Sequence, residues 1–354
     1  MTDSPRRRSP RRGPATVARC SRPRGGDAPP TDPCRAGGVV TKSQLPVTLG
    51  SSPNRMLVFD TNAQPGEEGR MSAGEDSVPT TTHGALTAFH GRAGDHNDRA
   101  MAGARILGSE LARYMRAGLT RIGQSRPALS ANWETELTAA LPELRRLANR
   151  YDTLLAAGAR PVTAVNRCAV ALATLPVVAR HRPDACVVWL DAHADLHTPA
   201  TSESGYLGGM VLAGAGGLWD SGLGDGLALG NVVLGGLRDV DEAERRLLSE
   251  GTISAVSAGE DIVDKLRAAV AGRPVYFHLD CDVFEPGVLA TDYRVPGGLT
   301  LDRLHEVAGM LAEHELVGVE LGEFETIQPT GETDTDAARR LVEAVAPLLD
   351  EPRG

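Results

Sequence analysis

Aromatic residues are scarce in this sequence: five Phe, five Tyr and three Trp amount to 4% of the chain. That scarcity argues against an aromatic-rich β-sandwich core, while forty glycines and frequent Ala-rich runs suit closely packed helix-on-sheet layers. No uninterrupted apolar run reaches the roughly 18 residues a membrane span needs, so no membrane association is expected. The Arg-rich N-terminus has no apolar stretch of the kind a secretory signal carries. The five cysteines (Cys20, Cys34, Cys168, Cys186 and Cys281) are odd in number and irregular in spacing. Free thiols in a reducing cytoplasm fit them better than a disulfide framework. No internal repeat is found.

Charge is distributed unevenly. The net charge of −9 conceals a basic start, since residues 1–55 hold eleven Lys or Arg against Asp3, Asp27 and Asp32. The acidic remainder argues against nucleic acid as a general partner and is compatible with cationic substrates. Residues 1–80, rich in Pro, Gly, Ser and Arg without an apolar period, read as a disordered extension. Either translation truly starts at Met56 or Met71, or a basic tail touches nucleic acid or an acidic partner. A folded domain is expected over 84–354, and 41% hydrophobic residues suffice for its core.

Short apolar runs then alternate with amphipathic stretches. Strands are predicted at 86–91, 160–165, 186–190, 231–236, 252–258, 275–280 and 317–324. Helices are predicted over 133–157 and 169–181, and near 240–250, 259–271, 300–314 and 334–349. Strands without polar alternation, interleaved with helices, predict an α/β fold whose mostly parallel sheet is covered on both faces, a three-layer α/β/α arrangement. Chemistry in such sheets sits at the carboxyl ends of the strands.

Two polar clusters stand at such ends. After the run VVWL come Asp191, His193 and Asp195, spaced two apart, so that in extended chain all three project to one side. After VYFHL come Asp280 and Asp282, again two apart. Four carboxylates and an imidazole converging from two strand tips carry too much negative charge for one ion and suit a pair of divalent ions. Oxygen and nitrogen donors favour Mn²⁺ first, with Fe²⁺, Co²⁺, Ni²⁺ or Zn²⁺ as alternatives.

DAHAD (191–195) and LDCDVFEP (279–286) resemble the two signature motifs of the arginase, agmatinase and formimidoylglutamase family of ureohydrolases. The resemblance runs over roughly residues 84–350 and takes in HGRAGDHNDRAMAGAR and TSESGYLGGM. It implies an arginase-like α/β/α fold, homo-oligomers, and two metals bridged by Asp191 and Asp280. His193 and Asp282 would bind one ion and Asp195 the other. Glu323, with Glu320 beside it, matches the glutamate that holds a substrate guanidinium.

The sequence also departs from that family. The first metal ligand should be a histidine in a G-G-D-H motif, but Cys168 stands there and the glycines and aspartate are absent. Cys168 could ligate as a thiolate, His278 could compensate, or one metal position could be weak. The family's proton-shuttle histidine is replaced by Gly208 or Gly209, the acid of the second motif is Glu285, and the nearby loop holds His197, a candidate for substrate binding or proton relay. Cys186 and Cys281 read as core packing. The expected activity is hydrolysis of a guanidino C–N bond with release of urea, using Asp195 to move a proton and Glu323 to hold the guanidinium. A formimidoyl or amide hydrolase and a catalytically silent structural relative are the alternatives. Specificity should reside in loops 92–101, 196–207 and 287–298.

Overall fold

The computed structural model describes residues 85–328 and 330–350. The extension expected over 1–80 lies outside the described residues. Eight strands form one sheet: β1 (Ala85–Phe89), β2 (Leu119–Ile122), β3 (Pro161–Ala164), β4 (Cys186–Leu190), β5 (Val232–Gly235), β6 (Ser254–Val256), β7 (Val275–Asp280) and β8 (Leu316–Gly322). Their spatial order is β2-β1-β3-β8-β7-β4-β5-β6, and every pairing is parallel.

Among the described residues eight α-helices cover the sheet: α1 (Arg99–Met115), α2 (Trp133–Ala156), α3 (Ala171–His181), α4 (Val211–Ala215), α5 (Glu242–Ser249), α6 (Ile262–Val270), α7 (Leu301–Leu311) and α8 (Ala337–Leu349). The central strands are buried on both faces, and alternate residues feed two separate cores. Val188, Leu190, Phe277 and Leu279 point into one core with α1, α6, α7 and α8. Val187, Trp189, Leu234 and Tyr276 point into the other with α2 to α5. The expected three layers are therefore present, with a wholly parallel sheet.

Local signals explain the elements nearest the site. Helix α2 starts where the Asn132 side chain accepts from the Thr135 backbone N–H, and buries Leu137, Ala140, Leu144, Leu147, Tyr151 and Leu154 at helical spacing. Helix α5 starts on a capping box between Asp241 and Glu244. Helix α1, the short helix α4 and the edge strand β2 were not predicted. Helix α1 contains Gly103 and Gly108, poor helix formers that its packing requires. A Cβ at Gly103 would lie 1.8 Å from the Phe324 carbonyl oxygen, and one at Gly108 would lie 2.7 Å from Ala88 Cβ.

Strands β4 and β7 are neighbours, yet β4 continues to β5 on one side and β7 to β8 on the other. The chain thus changes direction between them, the topological switch point where open α/β sheets leave a crevice at their carboxyl ends. Both acidic motifs emerge there.

Candidate metal centre

Register decides what meets at the crevice. Trp189 on β4 pairs with His278 on β7, and His278 pairs with Glu320 on β8. The His278 ring stacks on the Trp189 indole, centroids 3.5 Å apart, and its Nδ1 lies 3.0 Å from Glu320 Oε2. Thr174 Oγ1 donates to Glu320 from α3. Two residues further along each strand stand Asp191 and Asp280.

The motif residues converge, although by a different route from the expected extended chain. Only Asp191 and Asp280 leave the sheet extended. Beyond Asp191 the chain curls, so that the His193 backbone N–H donates to Asp191 Oδ1 at 2.6 Å and Asp195 adopts a φ of +51°. Beyond Asp280 a single 3₁₀ turn over Cys281–Val283 lets the Asp282 N–H donate to Asp280 Oδ1, also at 2.6 Å. The Ala192 N–H donates to Asp282 Oδ1 at 3.0 Å and ties the two motifs together. Positive φ at a non-glycine residue costs of order 1–3 kcal/mol. Among the described residues only five non-glycines adopt it, and two of them are Asp195 and Glu323.

Two groups of donors result, each with its atoms within 4.8 Å of one another: Cys168, Asp191 and Asp280, and Asp191, His193 and Asp282. Asp191 belongs to both. Asp195 belongs to neither group, but it is buried and its Oδ2 has no hydrogen-bond partner among the described residues. His193 Nδ1 lies 2.9 Å from Asp282 Oδ2 and 3.4 Å from Asp191 Oδ1. The Trp189 indole N–H donates to Asp191 Oδ2 at 3.0 Å and fixes that carboxylate from behind. Arg238, not singled out from the sequence, braces the second motif by donating to the carbonyls of Asp282, Phe284 and Val295.

Electrostatics show the mutual cost of these carboxylates. Burial, followed by the charge of Asp191, pushes the Asp195 carboxyl well above its ordinary range. Burial and the charge of Asp282 do the same to Asp280, and burial with the charge of Asp191 lifts Asp282 to about 7. Burial would raise Asp191 as well, but His193 outweighs it and holds that carboxyl low. An orphaned buried oxygen, crowded carboxylates resisting ionisation and an imidazole among them form a donor set that fits divalent cations.

Cys168 sits at the start of the 3₁₀ turn leading into α3 and reaches the centre, its Sγ donating to Asp280 Oδ2 at 3.1 Å and lying 3.2 Å from His278 Nε2. His278 thus touches the cysteine and belongs to neither donor group. Burial and the surrounding carboxylates, Asp280 foremost, push the Cys168 thiol up. His197 lies elsewhere, in a third and partly exposed group with Asp241 (3.0 Å) and Glu244 (3.9 Å).

Glu323 lies one residue past β8, beside Cys168, and its carboxylate is engaged. Oε1 accepts from the Cys168 backbone N–H at 3.0 Å and from the Tyr206 hydroxyl at 3.1 Å, while Oε2 pairs with Arg167 Nη1 at 2.5 Å. Sequence reasoning missed Arg167 and Tyr206. A lone arginine between a buried strand and a buried helix was the available signal, because such a charge must find partners. Tyr206 explains Gly208: a Cβ there would lie 2.4 Å from the Tyr206 ring. Tyr206, Tyr293 and His96 pack as an aromatic cover whose Tyr293 meets the His193 ring edge-on at 5.7 Å. A surface concavity of about 1030 Å³ is lined by Arg105, Ser109, Arg113 and Arg121 among others and by none of these donors. The convergent chemistry, and not that volume, marks the site.

The comparisons with known proteins agree. The profile of the Arginase family matches residues 102–346. N(omega)-hydroxy-L-arginine amidinohydrolase of Streptomyces lavendulae is 39% identical over 229 residues, covering 65% of this chain and 84% of that protein. Mitochondrial arginase-2 of Mus musculus is 30% identical over 240 residues, covering 59% of this chain and 65% of that one. The crystal structure of arginase from Bacillus subtilis superposes with a TM-score of 0.65 at 22% identity, covering 76% of this chain and 98% of that one. The chain belongs to the arginase family. Its membership meets the sequence-based expectations of a ureohydrolase, of the α/β/α fold and of a metal-dependent hydrolase acting on C–N bonds.

Proposed function

We propose that this protein hydrolyses a guanidino C–N bond of an amino-acid-like substrate, and that an N-hydroxyguanidino compound is its preferred one. The observation that carries the reading is the pair of donor groups sharing Asp191 at the β4/β7 switch point. The hydroxylated preference draws support from the Streptomyces lavendulae relative and from the two departures at Cys168 and Gly208, which distinguish this site from the pattern of the family.

Two divalent ions held by Asp191, His193, Asp280, Asp282, Cys168 and Asp195, with Mn²⁺ the first candidate, would supply Lewis acidity and nucleophilic water near neutral pH. Asp195, with its free Oδ2, takes the proton of the attacking water and delivers it to the departing amine nitrogen. The bond from the guanidino carbon to the chain nitrogen breaks, a C–O bond forms, and the urea fragment keeps any hydroxyl its terminal nitrogen carried. Glu323 orders the pocket through Arg167, Tyr206 and Cys168 and presents its remaining lone pair to the substrate head. His197, with Asp241 and Glu244, offers the substrate's charged tail a polar seat at the rim. A homo-oligomer and a cytoplasmic location are part of the same proposal, resting on the family pattern and on the free thiols of Cys168, Cys186 and Cys281. No helix among the described residues is long and apolar enough to cross a membrane.

The test is release of urea or N-hydroxyurea by purified, metal-loaded protein from L-arginine, N-hydroxy-L-arginine, agmatine and shorter guanidino acids. Silence across the panel with two equivalents of metal bound defeats the guanidine reading. Ammonia or formamide from amidine substrates would support the formimidoyl alternative instead, and fewer than two equivalents with no turnover would indicate a silent relative.

A further inference from the structure

We infer that Arg167 determines specificity, by pre-empting Glu323 so that the site accepts an uncharged or weakly basic guanidine in preference to a fully charged guanidinium. The inference rests on the urea-releasing reading above and deepens it.

The Arg167 side chain is wholly buried, 0% exposed, directly before Cys168. Its Nη1 lies 2.5 Å from Glu323 Oε2 and its Nε 3.1 Å from Asp95 Oδ1, with Nη2 3.5 Å from Asp292 Oδ2 and 3.6 Å from Glu325 Oε1. Asp95 is itself locked in place by Asn166 Nδ2 and the Ala93 backbone N–H. The guanidinium therefore cannot swing away from Glu323 without abandoning a buried ion pair on its other edge, which is a large penalty. Arg167 also stands where the G-G-D-H pattern carries an aspartate, so the charge beside Cys168 is reversed.

A carboxylate offers about four lone-pair directions and recognises a guanidinium best by two parallel N–H···O bonds, one to each oxygen. At Glu323 both directions on Oε1 are filled by the Cys168 N–H and the Tyr206 hydroxyl, and one on Oε2 is filled by Arg167. The fork is already blocked, by the Cys168 N–H and the Tyr206 hydroxyl on one oxygen and by the protein's own guanidinium on the other. What remains is one lone pair on a carboxylate whose charge is neutralised, next to a buried cation that repels a second one. A guanidine carrying an electron-withdrawing hydroxyl is less basic, can shed its positive charge at little cost on entry, needs only one N–H to that lone pair, and so escapes the repulsion.

The first experiment uses the wild-type metal-loaded enzyme and reads binding, by calorimetry, of L-arginine against its uncharged ureido isostere, citrulline. The positive end group should confer no advantage, with dissociation constants within about threefold; arginine binding about tenfold tighter or more overturns the inference. The second compares kcat/KM for N-hydroxy-L-arginine and L-arginine in wild type, Arg167→Gln and the Arg167→Gln, Glu323→Gln double variant. Freeing Glu323 should shift the ratio toward L-arginine by about tenfold or more, through KM, and removing Glu323 as well should abolish the gain. A purely structural Arg167 would depress both substrates alike and leave the ratio unmoved, which also overturns the inference. If Arg167→Gln does not fold, the wild-type binding comparison decides. Absence of urea from every guanidino compound would sink the function reading, whereas urea release with tight arginine binding would sink only this one.

Discussion

Stripping the cations from this centre should make the protein less stable as pH rises. Asp282 is 2% exposed, and burial with the charge of Asp191 lifts its carboxyl to about 7 from an ordinary 3.8. Between those two values the folded chain holds the proton more firmly than the unfolded chain. The stability this represents is complete below the lower value and lost as pH climbs through the upper one, so the slope is negative across that window. At 1.36 kcal/mol per unit, Asp282 alone accounts for roughly 3 kcal/mol between about pH 5 and 8. Asp195 and Asp280 are shifted upward too and steepen the fall. Asp191, held low, acts only in acid, and His193, raised by its carboxylate partners against burial, adds to the fall only above its ordinary 6.5. For a domain of this size that corresponds to a melting temperature about 6–12 °C lower at pH 8 than at pH 5. Scanning calorimetry of chelated protein at the two pH values measures it directly, alongside Asp282→Asn. The variant should show a shallower slope when chelated, the remainder coming from Asp195, Asp280 and His193, and should forfeit the gain that added Mn²⁺ gives the wild type at pH 8. A melting temperature that stays level or climbs from pH 5 to pH 8 in chelated wild type, or a slope untouched by Asp282→Asn, would refute the reasoning.

Cys168→Ala should lower the metal retained after exhaustive dialysis from about two equivalents toward one, since it removes a donor from one group and leaves the other intact; unchanged stoichiometry by elemental analysis would take the thiol out of the donor set. Gly103→Ala should destabilise by about 1–3 kcal/mol or more, because the added methyl meets the rigid Phe324 carbonyl, lowering the melting temperature without changing metal affinity; a variant as stable as wild type would mean that α1 is not pressed onto the chain leaving β8.

The centre of the sheet was legible because β4 and β7 are unbroken apolar runs ending abruptly in acids, a pattern that only a strand tip explains economically. The convergence of Asp191, His193, Asp280 and Asp282 was legible for the same reason, although the local geometry was not. Spacing by two suggested an extended strand, whereas Asp195 reaches its place through a left-handed turn and Asp282 through a 3₁₀ turn. Helix α1 escaped notice because propensity counts its glycines against it, and only the tertiary approach of Phe324 and Ala88 reveals why they are there. Strand β2 is a short edge strand of mixed burial, with no apolar period to announce it. Arg167 was invisible to motif comparison because it replaces a residue of opposite charge, and its four carboxylate partners come from segments that no local pattern joins.

The shared carboxylate Asp191 and its partner Asp280 sit far apart along the chain and become neighbours only once β4 and β7 lie side by side. The cation pocket therefore cannot exist in a nascent chain until β5, β6 and β7 have been synthesised and β7 has slotted in beside β4. Metal held by these donors would be acquired late, by a nearly complete sheet, and would staple the two arms of the sheet together across the point where their connections diverge. Loading with metal would then reinforce a β4/β7 junction that the strand pairing has already made, as a final step of maturation.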